Sequence, residues 1–234
     1  MVVIKKTQGR GQVRYLFVMA HPDDETDVGG TIWKLVSEGH EVAVAITVGK
    51  VSARRNLSDN LSEEEAASMR LLGVSKVYHA DFPNIKMNIV PHNQIIHFIE
   101  EAIIDWRADA LVTHHCADVN IDHAETGRAA IAASKLVEQT GNLPKLRLIL
   151  LCETAGATEW ALNTSRQRFQ PNYYVVIGQE GLERKIKAHE LYSGVMRRYP
   201  HPQSSEVYRG LAAFRGAQCQ GEFAEAFQCI YRSE

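Results

Sequence analysis

No stretch of this 234-residue chain approaches the ~20 consecutive apolar residues that a membrane helix needs. Charge of one sign is also lacking: Lys plus Arg number 26 and Asp plus Glu 28, a formal net charge of -2. That balance speaks against nucleic acid or an anionic membrane surface as the partner. Cysteine is scarce, and Cys116, Cys152, Cys219 and Cys229 form no CxxC pair, so neither a zinc ribbon nor a dithiol redox motif is indicated. Repeats, low-complexity tracts and an obvious linker are missing too. What is present is ordinary globular composition, 45% hydrophobic and 23% charged. A chain of this length buries ~70% of its unfolded surface and needs no metal or disulfide to hold a core. The eight-residue apolar run Val13 to Ala20 has a basic flank, as a signal-peptide core does, but His-Pro-Asp-Asp-Glu follows it instead of a small-residue cleavage site. The expectation is a cytoplasmic protein with reduced thiols and a single domain over residues 1–234.

Strand-like and helix-like segments alternate. Val13 to Ala20, Glu41 to Val48, Lys76 to Ala80, Ala108 to Thr113 and Leu146 to Leu151 read as strands, the longer ones buried on both faces. Between them, Thr31 to Glu38, Ser62 to Leu72 (stopping at Gly73), His92 to Trp106 and Ala124 to Glu138 read as helices. This order predicts an α/β fold, a Rossmann-like three-layer sandwich with a mainly parallel sheet. Beyond Leu151 the pattern is less regular. Ile186 to Met196 looks helical, Tyr199 to Ser205 is a loop, and Ser205 to Arg215 and Glu222 to Phe227 read as short helices.

Two constellations follow strand ends, where open parallel sheets bind ligands. The first is Ala20-His21-Pro22-Asp23-Asp24-Glu25. On a tight turn His21 and Asp24 can converge on one divalent ion, leaving Asp23 to handle protons. The bland alternative is that an aspartate caps the next helix, and Gly29 and Gly30 serve packing. The second runs from Thr113 to His123, with three histidines and two aspartates between His114 and His123. His123 can complete a His-Asp-His site with a coordination position open to water. His114 and His115 are expected to bond backbone or support the ligands, Asp122 to orient a histidine or cap a helix, and Cys116 to be a small buried residue.

Together these clusters resemble the LmbE-like/PIG-L family of zinc-dependent N-deacetylases. AHPDDE stands intact at Ala20 to Glu25, and the family's second signature, ending in Asp-His, stands at Asn120 to His123. The likeness extends to Phe82-Pro83-Asn84, Thr158-Glu159-Trp160, Phe169-Gln170-Pro171-Asn172, Pro200-His201-Pro202 and Ala224-Glu225-Ala226-Phe227, and so covers most of the chain. It implies that His21, Asp24 and His123 bind the metal (Zn²⁺ or another divalent transition metal) at the carboxyl ends of the strands, with Asp23 as general base. It also implies a small-molecule GlcNAc-type amino-sugar conjugate as substrate and leaves a homo-oligomer open.

One departure stands out. Asn120 occupies the place of the histidine that many members use at the oxyanion, so either its amide donates there or His201 or His115 takes the role. Arg54 and His201 are candidate substrate-binding residues, weighed against a solvated loop and a surface turn. Trp160, Tyr173 and Tyr174 can stack on a sugar or belong to the core, and the core is favoured for at least two of them. Two competing readings remain: an amidase for another acyl amide, and a non-catalytic metal- or nucleotide-binding module.

Overall fold

A computed structural model of the chain describes residues 11–49, 60–136, 145–161 and 168–234. The first strand, β1 (Arg14–Met19), is the spine of the sheet, and Leu16, Phe17, Val18 and Met19 are all fully buried. Each such side chain contributes ~1.5–3 kcal/mol by leaving water. A turn of 3-10 helix over Asp24–Val28 leads into α1 (Gly29–Ser37), then β2 (Glu41–Ile46), α2 (Leu61–Leu72), β3 (Lys76–His79) and α3 (His92–Trp106). There follow β4 (Ala110–His114), α4 (Ile121–Leu136), β5 (Leu148–Cys152), β6 (Tyr173–Val176), α5 (Gly178–Leu191), α6 (Ser205–Gln218) and β7 (Ala224–Arg232). The sheet order is β3-β2-β1-β4-β5-β7-β6. Its first five members run parallel, and β7 lies antiparallel between β5 and β6.

The period of two in β1 sends alternate residues to opposite faces. Leu16 and Val18 meet Ile95, Ile99 and Ile103 of α3 and the alanines of α4, while Phe17 and Met19 meet Ile32 of α1 and Leu72 of α2. Gly73 ends α2 in the left-handed region (φ 80°), where its lack of a Cβ removes the steric penalty. All four cysteines are free. Among the described residues, no helix is long and apolar enough to cross a membrane.

Two expectations need correction. Glu222 to Phe227 does not form a helix: from Ala224 onward the chain is β7. Ala and Glu favour a helix locally, but the aromatic and aliphatic residues up to Arg232 find two strand partners, and tertiary pairing overrides weak propensity. The edge strand β6 was not expected at all. It carries Tyr173, which packs against the core, and half-buried Tyr174. Two boundaries also move outward: α4 begins at Ile121, ahead of Ala124, and α5 begins at Gly178, ahead of Ile186.

Candidate metal centre and cleft

His21, Asp23 and Asp24 stand on the turn that leaves β1. The backbone tightens there, with Asp24 N–H donating to His21 O at 3.3 Å and Thr26 N–H to Asp23 O at 3.0 Å. Asp24 Oδ2 accepts the His21 amide at 2.8 Å, which folds its carboxylate back toward the imidazole. Asp23 adopts φ 102° and ψ -26°, a left-handed conformation that costs a non-glycine residue about 1–3 kcal/mol.

The second cluster arrives from β4 and α4. His114 is the last residue of β4, and Asp122 and His123 lie in the first turn of α4. Gly127 lets that helix approach: a Cβ there would stand 2.5 Å from the His114 carbonyl oxygen. Asn120 precedes the helix, and its Oδ1 accepts the Asp122 amide at 3.0 Å. The bland capping role thus falls to Asn120, and its side-chain NH₂ is left to other partners.

Three ligand atoms converge. One from each of His21, Asp24 and His123 lies within 4.8 Å of the others, and all three residues are buried. His21 Nδ1 is 3.2 Å and His123 Nε2 3.4 Å from Asp24 Oδ2. Each imidazole has a carboxylate behind it. Asp122 Oδ2 stands 3.0 Å from His21 Nε2 and accepts the Ile85 amide at 2.6 Å, while Asp122 Oδ1 accepts the Met87 amide at 3.1 Å. Asp118 Oδ2 faces His123 Nδ1 at 3.4 Å and takes the Thr158 hydroxyl at 2.9 Å. Carboxylates in this position orient histidine ligands and raise their basicity.

The electrostatics agree with the donor chemistry. Burial disfavours charge on His21, but Asp24 and Asp122 outweigh it and push its pKa up to about 9. His123 is also raised, against its burial, by Asp24 and Asp118. Asp24 is held well below the usual carboxylate range, again against burial, by His123, His21 and His114. Acidic oxygens therefore hold positive charge around one point. Two nitrogen donors and a carboxylate, each orientable and buried, fit a divalent transition ion.

The cluster opens on a cleft of about 780 Å³ lined by Asp23, Asp24, Asn120 and His123 together with Arg197 and His201. Trp160, Ile85 and Val119 add apolar wall, and all three are more than half exposed. His201 Nδ1 accepts the Gln203 amide at 3.1 Å, and burial together with the Arg197 charge lowers its pKa. The neutral ring then carries its proton on Nε2. Next to Asp23, burial pushes Glu25 up to about 8 against the Ser68 and Tyr192 hydroxyls.

A family profile described as GlcNAc-PI de-N-acetylase, PIG-L, matches residues 16–134, just over half of the chain. The chain belongs to the PIG-L family. Several solved structures share its fold. The N,N'-diacetylchitobiose deacetylase from Pyrococcus horikoshii, complexed with its inhibitor MPG, is 22% identical with a TM-score of 0.75, over 93% of this chain and 84% of that one. A 4-carboxy-2-hydroxymuconate hydratase, GalB from Pseudomonas putida, is 18% identical with a TM-score of 0.75, covering 95% and 98%. The zinc-inhibited form of teicoplanin deacetylase Orf2 is 17% identical with a TM-score of 0.70, covering 95% and 99%. At these identities the likeness is one of fold, and the fold carries hydratases as well as deacetylases. No curated protein matches the chain.

Of the site residues expected in this PIG-L chain, His21, Asp23, Asp24, Asn120, His123 and His201 come together at the cleft. Arg54 lies outside the described residues. His115 turns away from ligand duty: its Nδ1 accepts the Ala117 amide at 3.2 Å, and its ring meets Phe169 edge-on. Trp160 lines the cleft, whereas Tyr173 and Tyr174 belong to β6. Sequence reading missed Asp118 as the partner of His123 and Arg197 as a cleft residue. Asp118 falls five residues before His123, in a segment whose excess of acid was the available signal. Arg197 carries no signal, since an arginine in an irregular stretch looks like any solvated one.

Proposed function

We propose that this chain is a metal-dependent hydrolase, a single LmbE-like domain over 1–234, that removes the N-acetyl group from a GlcNAc-type amino-sugar conjugate. The observation that carries the reading is that Asp23 and the His21-Asp24-His123 cluster open on the same cleft. Membership of the PIG-L family supports the choice of amide.

His21 Nδ1, one Asp24 oxygen and His123 Nε2 would hold the ion, and Asp122 and Asp118 would keep the two rings aimed. When bound, Zn²⁺ or another divalent transition ion acidifies water and polarises an acyl oxygen. Asp23 accepts the proton of the attacking water as its C–O bond forms, then returns it to the amine nitrogen as the C–N bond breaks, acting as base and then acid. Asn120 donates a side-chain N–H to the developing oxyanion, because its Oδ1 is already engaged by the Asp122 amide. His201, also in the cleft lining, supplies a neutral N–H donor, and Arg197 and Trp160 hold the rest of the conjugate.

A second reading, an amidase for a different acyl amide, is favoured by the apolar walls of Ile85, Val119 and Trp160. The test is acetate release from a panel of N-acetylglucosamine conjugates, with chelator and with zinc restored. Acetate that appears, stops with chelator and returns with zinc supports the deacetylase. Release of other acyl groups alone moves the assignment to the second reading, and no release by folded, metal-loaded protein removes both.

A further inference from the structure

We propose that Tyr192 and Ser68, bonded to Glu25, and His189, packed against Thr26, are positioning residues for Asp23: through Glu25 and Thr26 they clamp both of its peptide groups and so hold its backbone left-handed at the cleft. This rests on the reading of Asp23 as the proton-transfer group.

The clamp has two arms. On one side the Asp23 N–H donates to Glu25 Oε2 at 3.0 Å. The other oxygen of that carboxylate, Oε1, takes the Ser68 hydroxyl at 2.6 Å from α2 and the Tyr192 hydroxyl at 2.7 Å just beyond α5. On the other side the Asp23 carbonyl accepts the Thr26 hydroxyl at 2.5 Å. On that side Thr26 Oγ1 is packed against the edge of the His189 ring, 2.7 Å from Nδ1 and 3.2 Å from Nε2. The His189 ring is stacked on Tyr208 at 4.3 Å, which sets its plane.

Glu25, Tyr192 and His189 are buried, at 0%, 2% and 1% exposure, so these bonds do not compete with bulk water. The partners come from 163 and 167 residues along the chain. A backbone that is unfavourable for aspartate persists only where its surroundings over-determine it. Turning this residue back to an extended backbone would move its Cβ, and a base misplaced by ~1 Å can lose ~100-fold in rate.

Tyr192→Phe removes one hydroxyl and keeps the ring. In zinc-loaded protein it should lower kcat by about tenfold, with KM within about twofold and metal content unchanged. In an Asp23→Asn background the same substitution should change nothing further. An unchanged kcat, or an equal loss in both backgrounds, overturns the proposal, because Tyr192 then does not act through Asp23. A melting cycle needs no substrate. Asp23→Gly relieves the left-handed strain and should raise Tm by ~2–4 °C in the parent but not alongside Tyr192→Phe, which lets the turn relax. Equal gains in both overturn the clamp. If the parent hydrolyses no amide while the melting cycle is non-additive, the clamp stands and the hydrolase reading alone falls.

Discussion

His114 lies flat against His123, ring centroids 4.1 Å apart and planes inclined by 12°. The same His114 ring takes the Ala20 amide on Nε2 at 3.0 Å and stands 3.2 Å from Asp24 Oδ2. One buried side chain therefore ties the end of β1 to the end of β4 and to the first turn of α4. His114→Phe keeps the stack and removes the acceptor. The Ala20 N–H, buried and without its partner, should cost about 1–3 kcal/mol. Urea unfolding should show a lower midpoint at unchanged slope, and zinc affinity should weaken by ~10-fold, as expected for a residue behind the ligands. Wild-type stability and affinity would show the tie to be idle.

On the proposed assignment, protons and metal compete for the same nitrogens. In the metal-free fold, His21 is raised from 6.5 to about 9 because Asp24 and Asp122 outweigh its burial. A raised histidine pKa means that folding favours the protonated ring. Its contribution is full below pH 6.5 and is lost as the pH climbs through about 9. Metal-free protein should thus lose stability across that window. A metal needs the ring neutral, so zinc binding at pH 7 should release at least one proton, and affinity should rise with pH until about 9. Calorimetry in two buffers of different ionisation heat measures the count. A count of zero would contradict the assignment of His21 as a ligand.

Much of this was legible in the chain because strand ends and site residues coincide. β1 and β4 hold the unbroken apolar runs Tyr15 to Met19 and Ala110 to Val112, and the polar clusters begin just beyond them. A parallel sheet brings both ends to one rim, so spacing along the chain translates into proximity. Asp122 orients a histidine, one of the two roles its sequence position offered; that the histidine is His21, and that Asp118 pairs with His123, was not legible, since both depend on how the α4 turn sits over β1. Nor was β7, whose alanines and glutamate carry a helical propensity that two neighbouring strands override. Glu25 looked like part of a motif and gave no hint that residues near position 190 would complete its contacts.

The far end of the chain also fixes α1. Glu225 on β7 accepts the amides of Gly30 at 3.1 Å and Thr31 at 2.8 Å, and pairs with Lys185 at 3.0 Å with both side chains 7% exposed. Lys185 also donates to the Asp27 carbonyl. Glu225→Ala should strand a buried ammonium and two helix N–H groups, at about 3–5 kcal/mol. Lys185→Met should cost less, since Glu225 keeps its two amide donors. Urea midpoints of the two variants decide the order, and the reverse order would show the ammonium to be the better-supported partner.

Asn120 combines two duties that substitution can separate. Its Oδ1 holds the Asp122 amide, and its NH₂ is the proposed oxyanion donor. Asn120→Ala removes both. It should cost ~1 kcal/mol in stability through the lost cap and ~10²–10³ in kcat through the lost donor, with KM little changed. Asn120→Asp keeps an oxygen at the cap but offers the oxyanion no N–H and a like charge. Stability should therefore return to near the parent while turnover stays as low as in the alanine variant or lower. Measuring both variants for melting and for single-turnover rate separates the roles. Asn120→Ala that melts early yet turns over at the parent rate would leave Asn120 as a cap alone and shift the donor role to the Nε2–H of His201, where His201→Ala should then carry the full loss.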